Sequence, residues 1–134
     1  MNTGRAYLEN KVFQMLQSNN NNTPHFNYKV NFERGTTTLE IYTYNSKQKA
    51  LHLLHTTTGE NPSICLTNTL NYLLKHGDIK KSKNPYTITW KRKGSNESHE
   101  SYYYEESEDK AVEKFLYGKD PIDYDIEVKQ NPIS

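Results

Sequence analysis

The chain has 134 residues, a formal net charge of +1 and an apolar fraction of 33%, values that fit one compact domain, 1–134, with a thin core. The near-neutral balance argues against capture of nucleic acid or membrane by a bulk basic field, and a lone cysteine, Cys65, excludes an intrachain disulfide framework. No apolar run approaches the roughly 20 residues needed to cross a bilayer, and no basic segment precedes an apolar one at the N-terminus, so a soluble, cytoplasmic protein is expected.

Taken in order, residues 4–17 gather Tyr7, Leu8, Val12, Met15 and Leu16 on one side of a 3.6-residue period, the pattern of an opening helix. The asparagine run before Pro24 is a polar loop. Tyr28, Val30 and Phe32 then alternate with Lys29 and Asn31 as one arm of a hairpin that turns at Gly35 and returns over Leu39 to Tyr44. Ser46 stands ahead of Ala50, Leu51 and Leu54 at helical spacing, and a helix is expected there.

Asn61 followed by Pro62 reads as a helix start and Gly77 as its stop, which bounds a connecting helix over 62–76 with Leu66, Leu70, Leu73 and Leu74 on one face. A second alternating arm, Tyr86, Ile88 and Trp90, turns near Gly94 and returns through Tyr102, Tyr103 and Tyr104. Ser107 then caps a helix striped by Ala111, Val112, Phe115 and Leu116, with Glu108 and Asp109 favourably placed in its first turn. Ile122 to Lys129 alternates again as a terminal strand.

Laid over one another, 26–58 and 84–118 share the spacing from cap serine to alanine to the next two apolar residues, Ser46-Ala50-Leu51-Leu54 against Ser107-Ala111-Val112-Phe115. This predicts an α+β fold with an internal repeat of two ββα units: a single mainly antiparallel sheet of about five strands, with helices largely on one face. Through Ser107, Glu108, Ala111 and Phe115, the second unit resembles the small ββα units of bacterial and phage or mobile-element accessory proteins. No functional residue is carried over from that likeness.

Two surfaces are candidates for function. Lys80, Lys81, Lys83, Lys91, Arg92 and Lys93, with Tyr86 and Trp90 among them, have the composition of a strip that neutralises phosphates and stacks bases. Tyr42, Tyr44, Tyr102, Tyr103 and Tyr104 supply large amphipathic rings for contact with another protein. The acids that follow, Glu97 to Glu113, read mainly as a solvated face. His52 and His55, three apart on the expected helix, have weak metal-ligand spacing and no second ligand pair. No phosphate loop or serine-nucleophile elbow is present, and no catalytic residue, metal, cofactor or small-molecule ligand is expected. The expectation is a non-enzymatic interaction module that binds another protein or itself as a homodimer, with nucleic-acid binding by the basic strip as the alternative.

Overall fold

A computed structural model describes residues 4–20, 23–77 and 83–132. It is an α+β protein with three helices and a mixed six-stranded sheet. The elements are α1 (Arg5–Asn20), β1 (Pro24–Asn31), β2 (Thr36–Asn45), β3 (Ala50–Gly59), α2 (Pro62–His76), β4 (Asn84–Arg92), β5 (His99–Glu105), α3 (Glu108–Leu116), a 3-10 turn (Pro121–Asp123) and β6 (Tyr124–Gln130). The strand order is β1-β2-β3-β5-β4-β6. Among the described residues, no helix is long and apolar enough to cross a membrane. The chain divides into two compact units, one of residues 4–44 and 53–77 and the other of residues 45–52 and 83–132.

In the first unit, β1 pairs antiparallel with β2 so that Tyr28 lies opposite Leu39 and Phe26 opposite Ile41. Thr37, Leu39, Ile41 and Thr43 bury their side chains on one face of β2 while Thr38, Glu40 and Tyr42 alternate onto the other. The helices α1 and α2 pack together, burying Leu8, Val12 and Leu16 from the first and Cys65, Leu66, Thr69 and Leu73 from the second. Removing each aliphatic chain from water contributes about 1.5–3 kcal/mol. The start of α2 is fixed as its sequence implies: Asn61 Oδ1 accepts from the Ile64 amide at 2.9 Å, Pro62 takes the first turn, and the Gly77 amide closes on the Leu73 carbonyl at 2.8 Å. Leu74, expected on the buried stripe, is 68% exposed.

In the second unit, β4 pairs antiparallel with both β5 and β6. One face of β4 carries Tyr86 and Ile88 into a cluster with Ala111 and Phe115 of α3, ringed by Trp90, Tyr103, Val112, Leu116, Tyr124, Ile126 and Val128. Ser107 caps α3 by accepting from the Lys110 amide at 3.2 Å.

The expected helix after Ser46 is a strand, β3, and with it the internal repeat is overturned. The stretch at 26–58 runs strand, strand, strand, whereas 84–118 runs strand, strand, helix. The reason is local. Asn45, not Ser46, organises the turn: its Oδ1 accepts from the Lys47 and Gln48 amides at 3.0 and 3.2 Å, and Lys49 adopts a left-handed φ of 54° that returns the chain antiparallel. Beyond it, Thr56, Thr57 and Thr58 are three consecutive β-branched residues, which favour a pleated strand over a helix.

Candidate functional site

The second unit buries a connected group of polar side chains. His52, Thr87 and Asn131 come together on the face of the sheet opposite α3. Asn131 Nδ2 lies 3.1 Å from His52 Nε2, and His52 Nδ1 lies 3.3 Å from the Ala50 carbonyl. The carbonyl can only accept, so the ring carries its proton on Nδ1 and receives the Asn131 amide on Nε2. The Thr87 hydroxyl sits 2.9 Å from Asn131 Oδ1 and 2.7 Å from its Nδ2. The rings of Tyr102 and Tyr104 flank His52 at 5.0 and 5.5 Å. A backbone bond from Asn131 to the Pro85 carbonyl at 2.8 Å and one from Asn45 Nδ2 to the Pro132 carbonyl at 3.0 Å close the same region. His52 is wholly buried with both nitrogens engaged, so in this arrangement it ties the segment after β6 to the start of β3 rather than facing an outside substrate. His55, three residues on along a strand, faces the other way, toward Tyr72 of α2, so the two histidines share no metal position.

The basic strip separates into parts. Lys80 and Lys81 lie outside the described residues. Lys83 is partly buried, and desolvation pulls its ammonium below the ordinary lysine range against the opposing attraction of Glu105. Tyr86, at 3% exposure, is core, because the alternation that selects it also points it at α3. Trp90 is half-buried: its indole N–H donates to Ser101 Oγ at 3.1 Å, one face stacks on His99 at 4.6 Å, and Phe115 and Tyr124 close in at 5.3 and 5.7 Å. Neither ring is offered to a base. Lys91, Arg92 and Lys93 are exposed, but Lys91 is in register with Asp125 and Lys93 Nζ reaches Asp125 Oδ1 at 3.6 Å. Arg92 lies 5.9 Å over the Tyr124 ring. The strip is thus interleaved with acids of the neighbouring strand.

The tyrosines also divide. Tyr104, 1% exposed, is core and presents no surface to a partner, contrary to the expectation from sequence. Tyr103 belongs to the α3 cluster, and Tyr102 covers His52 while its hydroxyl donates to Glu100 at 3.2 Å. Tyr42 and Tyr44 remain on the outer face of β2, where Glu40 collects the Tyr42 hydroxyl and Asn27 Nδ2, each at 3.0 Å, and Lys29 Nζ at 3.3 Å.

The residues that sequence reasoning missed are Val30 and Phe32. Alternation places them with Tyr28, whose phenol donates to Glu9 of α1 and whose ring lies 4.1 Å beneath the Arg5 guanidinium. The hairpin carries the next two apolar side chains past that cover, leaving Val30 53% and Phe32 91% exposed. β1 ends at Asn31, so Phe32 lies in the turn, where strand alternation no longer sets the direction of a side chain.

Compared with protein families, curated proteins and solved structures, the chain has no match. Among the described residues, no group of three or more His, Cys, Asp or Glu is placed to hold a metal ion. Cys65 is fully buried in α2, its thiol donates to the Thr37 carbonyl at 3.1 Å, and burial pushes it above the ordinary thiol range. That is the setting of an inert filler, not of a nucleophile.

Proposed function

We propose that this chain is a non-enzymatic interaction module that binds another protein, and that the Val30–Phe32 end of the β1–β2 hairpin is the contact. The observation that carries the reading is the nearly complete exposure of Phe32, the first residue of the hairpin turn, beside half-exposed Val30 near the end of β1, the outermost strand of the sheet. An aromatic ring held in water on an ordered hairpin is the kind of anchor that dominates protein interfaces once it enters a partner's pocket. The open edge of β1 adds main-chain groups that an extended partner segment can pair with, so its specificity comes from side chains meeting Val30 and Phe32. Nucleic-acid binding is the weaker reading, because Tyr86 is core, Trp90 is half-buried and already stacked on His99, and Asp125 faces the exposed cations.

Selection of a displayed random-peptide library on the immobilised chain tests this, with a Val30→Ser/Phe32→Ser variant used for counter-selection. Enrichment of apolar peptides that bind the wild type and not the variant supports the proposal. Enrichment indifferent to the variant, together with tight salt-dependent binding of oligonucleotides, overturns it.

A further inference from the structure

We propose that β6 is a self-association edge, at which a second copy of this chain adds its own β6 antiparallel about a twofold axis through Val128. This surface shares no residue with the Val30–Phe32 contact, so either reading can fail without the other.

The phase of the β4–β6 ladder is fixed at both ends: the Lys93 amide donates to the Asp123 carbonyl at 2.9 Å and the Asn131 amide to the Pro85 carbonyl at 2.8 Å. With the register Thr87 opposite Lys129, Thr89 opposite Glu127 and Lys91 opposite Asp125, the odd-numbered residues of β6 turn their main-chain groups toward β4. Tyr124, Ile126, Val128 and Gln130 therefore aim theirs at the open edge, since β6 ends the strand order. Their side chains lie on the α3 side, where Ile126 and Val128 are only partly buried at the rim of the core cluster. Among the described residues, the edge thus has a ladder of main-chain groups with no neighbouring strand and an apolar row that stops at β6.

Charge selects the register. In a symmetric antiparallel pair, outward-aiming residues must meet outward-aiming residues, so the axis passes through a residue and not between two. An axis at Ile126 sets Asp125 against Glu127, one at Glu127 sets that carboxylate against its own copy, and one at Lys129 does the same to the ammonium. An axis at Gln130 would pair only the last residue of β6 with its copy; among the longer registers, only Val128 avoids every like-charge pair. It sets Glu127 against Lys129 twice, Ile126 against Gln130 twice, and Val128 against itself. Glu127 and Lys129 are both exposed, and in that register they fall at the closely spaced, non-hydrogen-bonded positions, where opposite charges interact best. Charges on an edge strand usually repel arbitrary partners, and here the same charges admit one arrangement. The contact is isologous and closes at two copies.

Sedimentation equilibrium of the full chain over a concentration series is the test, with circular dichroism confirming that each variant folds. Wild type is expected to show a monomer–dimer equilibrium, and Lys129→Glu and Glu127→Lys should each weaken it on the order of tenfold or more. The double exchange, Glu127→Lys with Lys129→Glu, should restore it. Mixing Glu127→Cys with Lys129→Cys protein under mild oxidation should give the mixed disulfide in preference to either symmetric one. A wild type that stays monomeric at every concentration overturns the proposal, as does a double exchange no better than the single ones, or a preferred symmetric disulfide between two copies of the Glu127→Cys variant.

Discussion

Asn131 and His52 are 79 residues apart in sequence, yet their side chains meet at 3.1 Å in the buried face of the second unit. The contact holds the segment after β6 to the start of β3 and draws in Thr87, so that three polar residues from distant segments hydrogen-bond one another. Asn131→Ala removes the shared partner. Burying the Thr87 hydroxyl without it should cost about 1–3 kcal/mol, read as a lower urea midpoint with unchanged slope. A midpoint within error of wild type would show the cluster to be incidental.

Gly59 is tested sterically. A Cβ there would stand 2.8 Å from Ile64 Cγ2 and 3.3 Å from the Cys65 amide nitrogen, where β3 passes into α2. Gly59→Ala should destabilise by about 1–3 kcal/mol, and adding Ile64→Ala should recover part of that loss. Two independent, additive losses in the double-mutant cycle would contradict the contact.

Cys65 should react slowly. With its thiol buried, bonded to the Thr37 carbonyl and held above the ordinary range, little thiolate is present near neutral pH. Modification by a disulfide reagent should be far slower in the native protein than in urea. Equal rates would show that α2 does not shield it.

Glu105 gives a pH dependence of definite sign. Burial raises its carboxyl above the ordinary carboxylate range, the lysines Lys83 and Lys114 offsetting this only in part. The folded state then binds the proton more tightly than the unfolded one, so this residue's contribution to stability improves as pH falls through the folded value toward the ordinary one. Glu105→Gln should be at least as stable as wild type near pH 8, with wild type gaining on it toward about pH 5. A difference that moves the other way would mean Glu105 is stabilised as a carboxylate by its lysines.

Much of the fold was legible because its signals are local. Asn61-Pro62 and Gly77 bound α2 by satisfying orphan amides and carbonyls within a few residues, and the Ser107 cap and the Tyr86-Ile88-Trp90 alternation are of the same kind. The strand β3 was misread because Ala50, Leu51 and Leu54 fit a helix over a single turn, while the deciding features, the Asn45 turn and the three threonines, lie on either side. Phe32 continues the alternation in the sequence, yet β1 ends at Asn31 and the ring belongs to the turn, a boundary that alternation does not mark. The His52 cluster carries no sequence signal, since its members are joined only by tertiary closure. The α1-side network of Arg5, Glu9 and Tyr28 was hidden for the same reason.

The central claim is that Phe32, and not the basic strip, makes the functional contact. It is tested most directly by titrating a library-selected peptide, and in parallel labelled single-stranded and duplex oligonucleotides, into wild-type and Phe32→Ser protein. Peptide affinity should fall by about tenfold or more in the variant, with no specific oligonucleotide binding by either protein. Unchanged peptide affinity, or oligonucleotide binding with a steep salt slope that disappears on replacing Lys91, Arg92 and Lys93, would contradict the account.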